Sequence, residues 1–215
     1  AKFAQMAVRT GAAGLLNTDW GDGGHFNFME YSWYGYLFGA EQAWKPSADQ
    51  ASFDIRFSTL FLGDPSGELG RAVRGLGRVA NHHSVGFFQS TLLHAYALPR
   101  EHKLFGLLKA AQGAAWLRDL AGPRAALARW TRRAGGDPAG VLEYLLFATD
   151  TLVQAARRVE AFGQVGRTSR ARLRRLGREH RELRKRFETL WMARNRGSEI
   201  RITLRQYDRV ARDYR

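Results

Sequence analysis

Residues 14–25 read Gly14-Leu15-Leu16-Asn17-Thr18-Asp19-Trp20-Gly21-Asp22-Gly23-Gly24-His25. This stretch is a short apolar run that leads into a cluster of glycines, carboxylates, an indole and an imidazole. The run is too short for a helix and follows a Gly-Ala-Ala-Gly break, so it predicts a buried strand over residues 14–18 that ends in a glycine-rich turn. In α/β proteins, ligands bind outside the carboxyl ends of parallel strands. The stretch therefore predicts a ligand site at the end of a strand.

The residues on either side of this stretch have helical patterns. Residues 1–12 read as the end of a helix, and residues 30–44 read as an aromatic helix that Pro46 ends. Helix, strand, loop and helix in this order form the repeating unit of an α/β fold. Because the chain begins with Ala1 rather than Met, inside a predicted helix, we expect residues 1–46 to be the last part of a larger α/β body.

The remainder of the chain, residues 52–215, is helical in pattern, and no strand is predicted in it. Gly122-Pro123 is expected to begin a new helix, and Thr168 or Ser169 is expected to cap a long helix that reaches Asn195. The gaps between the predicted helices are short, which favours antiparallel neighbours. We therefore predict a mainly α protein in which an antiparallel α-helical bundle follows the α/β part.

Composition limits the class of protein. A chain of 215 residues with 45% hydrophobic residues is long and apolar enough to fold around a core. It has no cysteine, so a disulfide framework and a thiolate metal site are excluded. No run of apolar residues approaches the length of a membrane span, so no membrane is expected as a partner. The domain boundary is predicted near residues 46–52.

The net charge of +14 is concentrated in the second half of the chain, where a dense run of arginines covers residues 167–186. Glu179, Glu182 and Glu188 interrupt or follow this run, and few aromatic residues lie near it. The run therefore offers few aromatic side chains on which nucleic-acid bases could stack. A solvated helix face with ion pairs at i, i+4 spacing explains the pattern. A basic helical module that binds nucleic acid or an acidic protein partner is the alternative.

Four residues of the opening stretch are candidates for ligand binding. On an extended segment Trp20 and Asp22 point to the same side and Asp19 points to the other. An indole offers a flat wall to a sugar ring, and carboxylate oxygens accept hydrogen bonds from neighbouring hydroxyls. His25 could donate a hydrogen bond to the same ligand. The alternative is that Trp20 is a core side chain and the helical part is only an interaction domain.

No metal or cofactor is predicted. The stretch superficially resembles a calcium loop but lacks the later acidic ligand of an EF-hand. His82 and His83 are adjacent, so on a helix they point about 100° apart and are badly placed to chelate one ion. Glu30 and Glu41 lie three helical turns apart, about 16 Å, which favours structural carboxylates over an acid/base pair.

Thr18 to His25, followed by an aromatic helix that ends in Gly39-Ala-Glu-Gln-Ala-Trp44, resembles the last strand, loop and helix of the barrel in bacterial glycoside hydrolases of family 20. These enzymes are β-N-acetylhexosaminidases. The likeness is to the branch with an α-helical domain after the barrel, because the residues from Leu190 to Arg196 resemble a segment near the end of that domain. The resemblance implies that residues 1–46 are the last βα unit of a (β/α)8 barrel and that residues 52–215 are the helical C-terminal domain.

The resemblance also implies roles for single residues. Trp20 stands where the family has a tryptophan wall for the N-acetylglucosamine ring, and Asp22 stands where a carboxylate binds sugar hydroxyls. Much of the family has Glu where this chain has Asp22. The family's hydrolysis is substrate-assisted and retaining, with the acetamido oxygen as nucleophile and an Asp-Glu pair on the fourth barrel strand. No residues of this chain correspond to that pair, so the 215 residues alone are expected to be inactive.

Overall fold

The computed structural model describes residues 2–19, 27–82, 91–133, 140–166 and 168–215. Within these ranges the protein is mainly α-helical, which confirms the predicted class. The helices are α1 (Lys2–Thr10), α2 (Trp33–Trp44), α3 (Gln50–Arg56), α4 (Glu68–His82), α5 (Thr91–Ala97), α6 (Lys103–Leu107), α7 (Ala110–Thr131), α8 (Leu142–Phe162), α9 (Arg170–Arg194) and α10 (Ile200–Val210). A π-helical turn, Phe57–Phe61, continues α3.

The strand expected over residues 14–18 is not formed, so this prediction is wrong. These residues have no regular secondary structure and are exposed, Leu16 to 87%. A strand needs a neighbouring strand to satisfy its backbone groups. Among the described residues the β pairing is a single isolated bridge between Lys109 and Gln164, so residues 14–18 have no strand to pair with. The barrel unit implied by the resemblance is therefore not seen in the described chain.

Residues 17–19 are instead held by side-chain hydrogen bonds to the start of α2. Asn17 Nδ2 donates to the carbonyl oxygen of Gly35 at 2.8 Å, and the Ser32 hydroxyl donates to the carboxylate of Asp19. A Cβ on Gly39 would lie 2.5 Å from Asn17 Nδ2, so a larger residue at position 39 would displace the Asn17 side chain. The segment before the predicted ligand loop is thus anchored by two polar side chains.

The chain divides into two compact units, residues 1–74 with 126–145, and residues 75–125 with 146–215. In the first unit, rings of α2, α3 and the π-turn pack together, with Tyr34 edge-on to Phe53 and Phe57. The Tyr34 hydroxyl donates to buried Asp54 at 2.6 Å. Because α3 belongs to the first unit, the core of that unit includes residues on both sides of the predicted boundary at residues 46–52. That boundary, as a limit of independent folding, stays a prediction.

The second unit contains a set of long antiparallel helices. Arg124 on α7 donates to Asp150 on α8, and the earlier Gly113 lies against the later Ala156. Later residues of α7 therefore contact earlier residues of α8, as in antiparallel helices. The same order relates α8 to α9, because Asp150 pairs with Arg186 and Glu160 pairs with Arg172. It also relates α9 to α10, because Arg184 bonds Asp208 and the later Phe187 packs on the earlier Tyr207. The second unit therefore has the antiparallel arrangement that the short gaps predicted.

Helix boundaries agree with the sequence in part. Ser169 accepts a hydrogen bond from the Arg172 backbone N–H at 3.2 Å, and α9 has Asn195 as its C-cap residue, both as predicted. Helix α7, however, continues through Gly122-Pro123, where a new helix was expected. Proline removes one backbone donor but does not end a helix whose other hydrogen bonds are kept.

Candidate functional site

Three of the four predicted sugar-binding residues, Trp20, Asp22 and His25, lie outside the described residues, as does His83. Asp19 is described and is exposed, and its carboxylate accepts the hydrogen bond from Ser32. This bond occupies one oxygen of Asp19 and ties the residue to α2. Asp19 therefore holds the chain where the predicted loop begins.

A shallow apolar groove lies beside this anchor in the first unit. It has a volume of about 370 Å³, and its walls come from α1, the extended residues and α2. It is lined by Phe3, Ala4, Leu15, Leu16, Asn17, Gly35, Phe38, Gly39 and Gln42. No acid, base or nucleophile is among these residues, so the groove offers apolar contact and no chemistry of its own.

The apolar side chains around this groove are exposed to an unusual degree. Phe3 is 74% exposed and Leu16 is 87% exposed, and both line the groove; Met6, one turn from Phe3 on α1, is 54% exposed. A contiguous exposed apolar surface on a folded protein marks a place where another surface packs. The first unit therefore carries an uncovered apolar face directly before the predicted ligand loop.

The carboxylates of α2 and the turn before it are structural. Glu41 forms an ion pair with Arg56 of α3, and Glu30 is buried. The arginines of α9 also make ion pairs: Arg172 with Glu160, Arg175 with Glu179, Arg184 with Asp208 and Arg186 with Asp150. Four of the eight described arginines within residues 167–186 therefore pair with carboxylates of α8, α9 and α10.

The second unit contains a buried histidine, His180 on α9, that is 1% exposed. Its Nε2–H donates to the carbonyl oxygen of Tyr207 at 2.8 Å, while Nδ1 is buried without a hydrogen-bond partner. Burial lowers the pKa of His180 to about 4; the bond to Tyr207 opposes this effect, and the charge of Arg158 adds to it. Proton uptake at Nδ1 is thus disfavoured, and His180 is a neutral core residue.

This buried histidine predicts how stability depends on pH. The unfolded chain takes up a proton at His180 near pH 6.5, whereas the folded chain does so only near pH 4. The unfolded state therefore binds more protons between these values, and the free energy of unfolding falls as the pH is lowered, by about 3 kcal/mol in total. Urea unfolding at several pH values, with His180→Gln as the control, isolates the contribution of His180 to the free energy of unfolding. Parallel pH profiles for the two proteins would contradict it.

The described residues define a mainly α-helical protein with two compact units and an uncovered apolar face. Comparison with models of protein families, with curated proteins and with solved structures found no match. None of the described helices is long and apolar enough to cross a membrane. Among the described residues, no group of three or more His, Asp or Glu side chains is arranged to hold a metal ion.

Proposed function

We propose that this chain is the C-terminal part of a glycosidase that resembles family 20 and removes terminal N-acetylhexosamine residues by substrate-assisted, retaining hydrolysis. In this proposal the loop with Trp20 and Asp22 contributes one wall of the sugar pocket, with His25 beside it. The catalytic Asp-Glu pair belongs to a barrel strand outside these 215 residues. The chain alone then binds part of a sugar but does not hydrolyse it.

The observation that carries the proposal is the uncovered apolar face of α1 and residues 15–16. An α/β barrel buries the helix and strand of its last unit against neighbouring units, so this face is the surface that a barrel would cover. The proposal also explains why Leu15 and Leu16, apolar in sequence, are exposed and form no strand among the described residues. Their pairing partners would be the first and the preceding strands of the barrel.

The anchoring of residues 17–19 supports a binding role for the loop that follows. A pocket wall must hold its position to orient a sugar ring, and this requires a rigid support. The bonds of Asn17 to Gly35 and of Asp19 to Ser32 supply that support from α2. We therefore assign Asp19 as a positioning residue and leave sugar contact to Trp20 and Asp22.

The alternative, a basic module that binds nucleic acid, has weaker support. Arg172 and Arg184 are each engaged by a carboxylate that no other arginine shares, which lowers the charge left for a phosphate backbone. Affinity for nucleic acid depends mainly on such phosphate contacts. The glycosidase therefore remains the preferred function.

The coding sequence upstream of Ala1 tests the proposal. We expect the reading frame to continue upstream and to encode an adjacent Asp-Glu pair after a buried strand. The longer protein should release nitrophenol from 4-nitrophenyl N-acetyl-β-glucosaminide, whereas the 215 residues should not. A stop codon directly before Ala1, or a longer protein without this activity, would exclude the proposed function.

A further inference from the structure

A second concave surface lies wholly within the second unit, between α8 and α9, and receives one residue of α7. Its volume is about 580 Å³. It is lined by Arg124, Asp150, Val153, Gln154, Arg157, Arg175, Arg178, Glu179, Glu182, Leu183 and Arg186. Five arginines face three carboxylates, so the lining has an excess of two positive charges. We name this surface the arginine cleft.

Two carboxylates organise the arginine cleft, and each is shared by two arginines. Asp150 accepts from Arg124 at 2.7 Å and from Arg186 at 2.7 Å. Such sharing fixes two guanidinium groups in place but neutralises only one of them. One positive charge is therefore left over on preorganised donors.

The second shared carboxylate is Glu179. It accepts from Arg157 at 2.8 Å and from Arg175 at 2.9 Å, both at Oε1. Two arginines again share one carboxylate, as at Asp150, so one further positive charge is left over. Arg178 also lines the cleft, and no ion pair among the described residues includes it. The cleft thus holds fixed guanidinium donors, one arginine without an ion pair, and a third carboxylate, Glu182, which brings the excess to two positive charges.

The cleft wall also contains buried acceptors without a donor. Gln154 is 1% exposed, and its Oε1 has no hydrogen-bond partner, although its Nε2 donates to the Leu176 carbonyl oxygen at 3.0 Å. Glu179 Oε2 is likewise buried without a partner. Both oxygens are closed to solvent, so a ligand in the cleft does not reach them, and they are a cost of packing α8 against α9.

We propose that the arginine cleft binds a small phosphate monoester, with the phosphate on the arginines. A phosphate monoester is close to a dianion at neutral pH and matches the excess of two positive charges. Planar guanidinium groups bind such oxygens through paired N–H donors. The proposal does not rest on the glycosidase function, because the cleft belongs to the other compact unit.

Calorimetric titration of the 215-residue protein with glycerol 3-phosphate and with inorganic phosphate, at constant ionic strength set with sodium chloride, tests the proposal. Arg178→Gln removes the uncommitted arginine and should weaken glycerol 3-phosphate binding about tenfold. Arg174→Gln is the matched control, because Arg174 is exposed on the same helix, one turn away, and does not line the cleft. This control should bind as the unchanged protein does.

Two results would overturn the proposal. If Arg174→Gln and Arg178→Gln weaken binding equally, the attraction comes from the net charge of the chain and not from the cleft. If glycerol 3-phosphate does not bind at all, the arginines only join the helices through ion pairs.

Discussion

In the longer protein that we propose to be a glycosidase, replacing Trp20 with alanine is expected to lower kcat/KM for an N-acetyl-β-glucosaminide about 100-fold. In the proposed pocket the indole would cover roughly 100 Å² of the sugar ring, which would contribute about 2.5 kcal/mol to binding in the transition state. The same wall would restrict the acetamido group to the geometry in which its oxygen attacks the anomeric carbon. Trp20→Phe keeps a flat apolar wall and should recover part of the loss. Initial rates with a nitrophenyl glycoside measure both variants.

Trp44 provides the matched control for this experiment. It lies at the end of α2 in the same compact unit and is 94% exposed, so Trp44→Ala should leave kcat/KM unchanged. Equal losses in the two variants would indicate a general effect on folding and not a sugar contact. Unchanged activity of Trp20→Ala would remove Trp20 from the pocket and with it the resemblance on which its role depends.

The long helices could be predicted from the sequence because their determinants are local. The cap at Ser169 and the end of α9 before Asn195 depend on residues within one turn. The irregular conformation of residues 14–18 could not be predicted, because the same apolar pattern forms a strand only where another strand pairs with it. Helix α7 continues past Pro123 because the rest of the helix keeps its hydrogen bonds. No residue near Pro123 in the sequence indicates that the helix continues.

The two candidate sites differ in how far the sequence indicates them. The loop with Trp20 is continuous in sequence, so its residues can be singled out together. The arginine cleft combines residues of α7, α8 and α9, and their meeting depends on how these helices pack. A local signal exists, because Asp150, Gln154 and Arg157 recur at helical spacing, but this spacing does not say which helix they face. The same limit applies to the buried ion pair of the second unit.

This ion pair joins Arg158 of α8 to Asp213, with 2.7 Å between Arg158 Nη2 and the Asp213 carboxylate. The Arg158 side chain is 0% exposed, and it also donates to the carbonyl oxygen of Leu98 at 2.8 Å. Removing one member leaves the other charge buried without its partner, which costs about 3–5 kcal/mol. Both Arg158→Met and Asp213→Asn are therefore expected to lower the free energy of unfolding by this amount at pH 7.5.

The two variants should differ in their response to acid. Burial raises the pKa of Asp213, and Arg158 opposes this effect, so the pKa rises further in Arg158→Met. A folded carboxyl whose pKa is raised binds its proton before the unfolded one does, so the loss of stability in Arg158→Met becomes smaller as the pH falls. In Asp213→Asn the buried guanidinium keeps its charge at any pH, and no such relief is available.

Arg157→Met is the control for these variants, since Arg157 is the neighbouring residue on α8 and its side chain is 34% exposed. A pair this exposed contributes about 0–1 kcal/mol, so the control should change stability by no more than that. Urea unfolding followed by circular dichroism at pH 7.5 and pH 5 measures all three variants. Equal losses in Arg157→Met and Arg158→Met would contradict a buried charge at Arg158. A pH-independent loss in Arg158→Met would show that Asp213 stays ionised, because solvent then reaches its carboxylate once the arginine is gone.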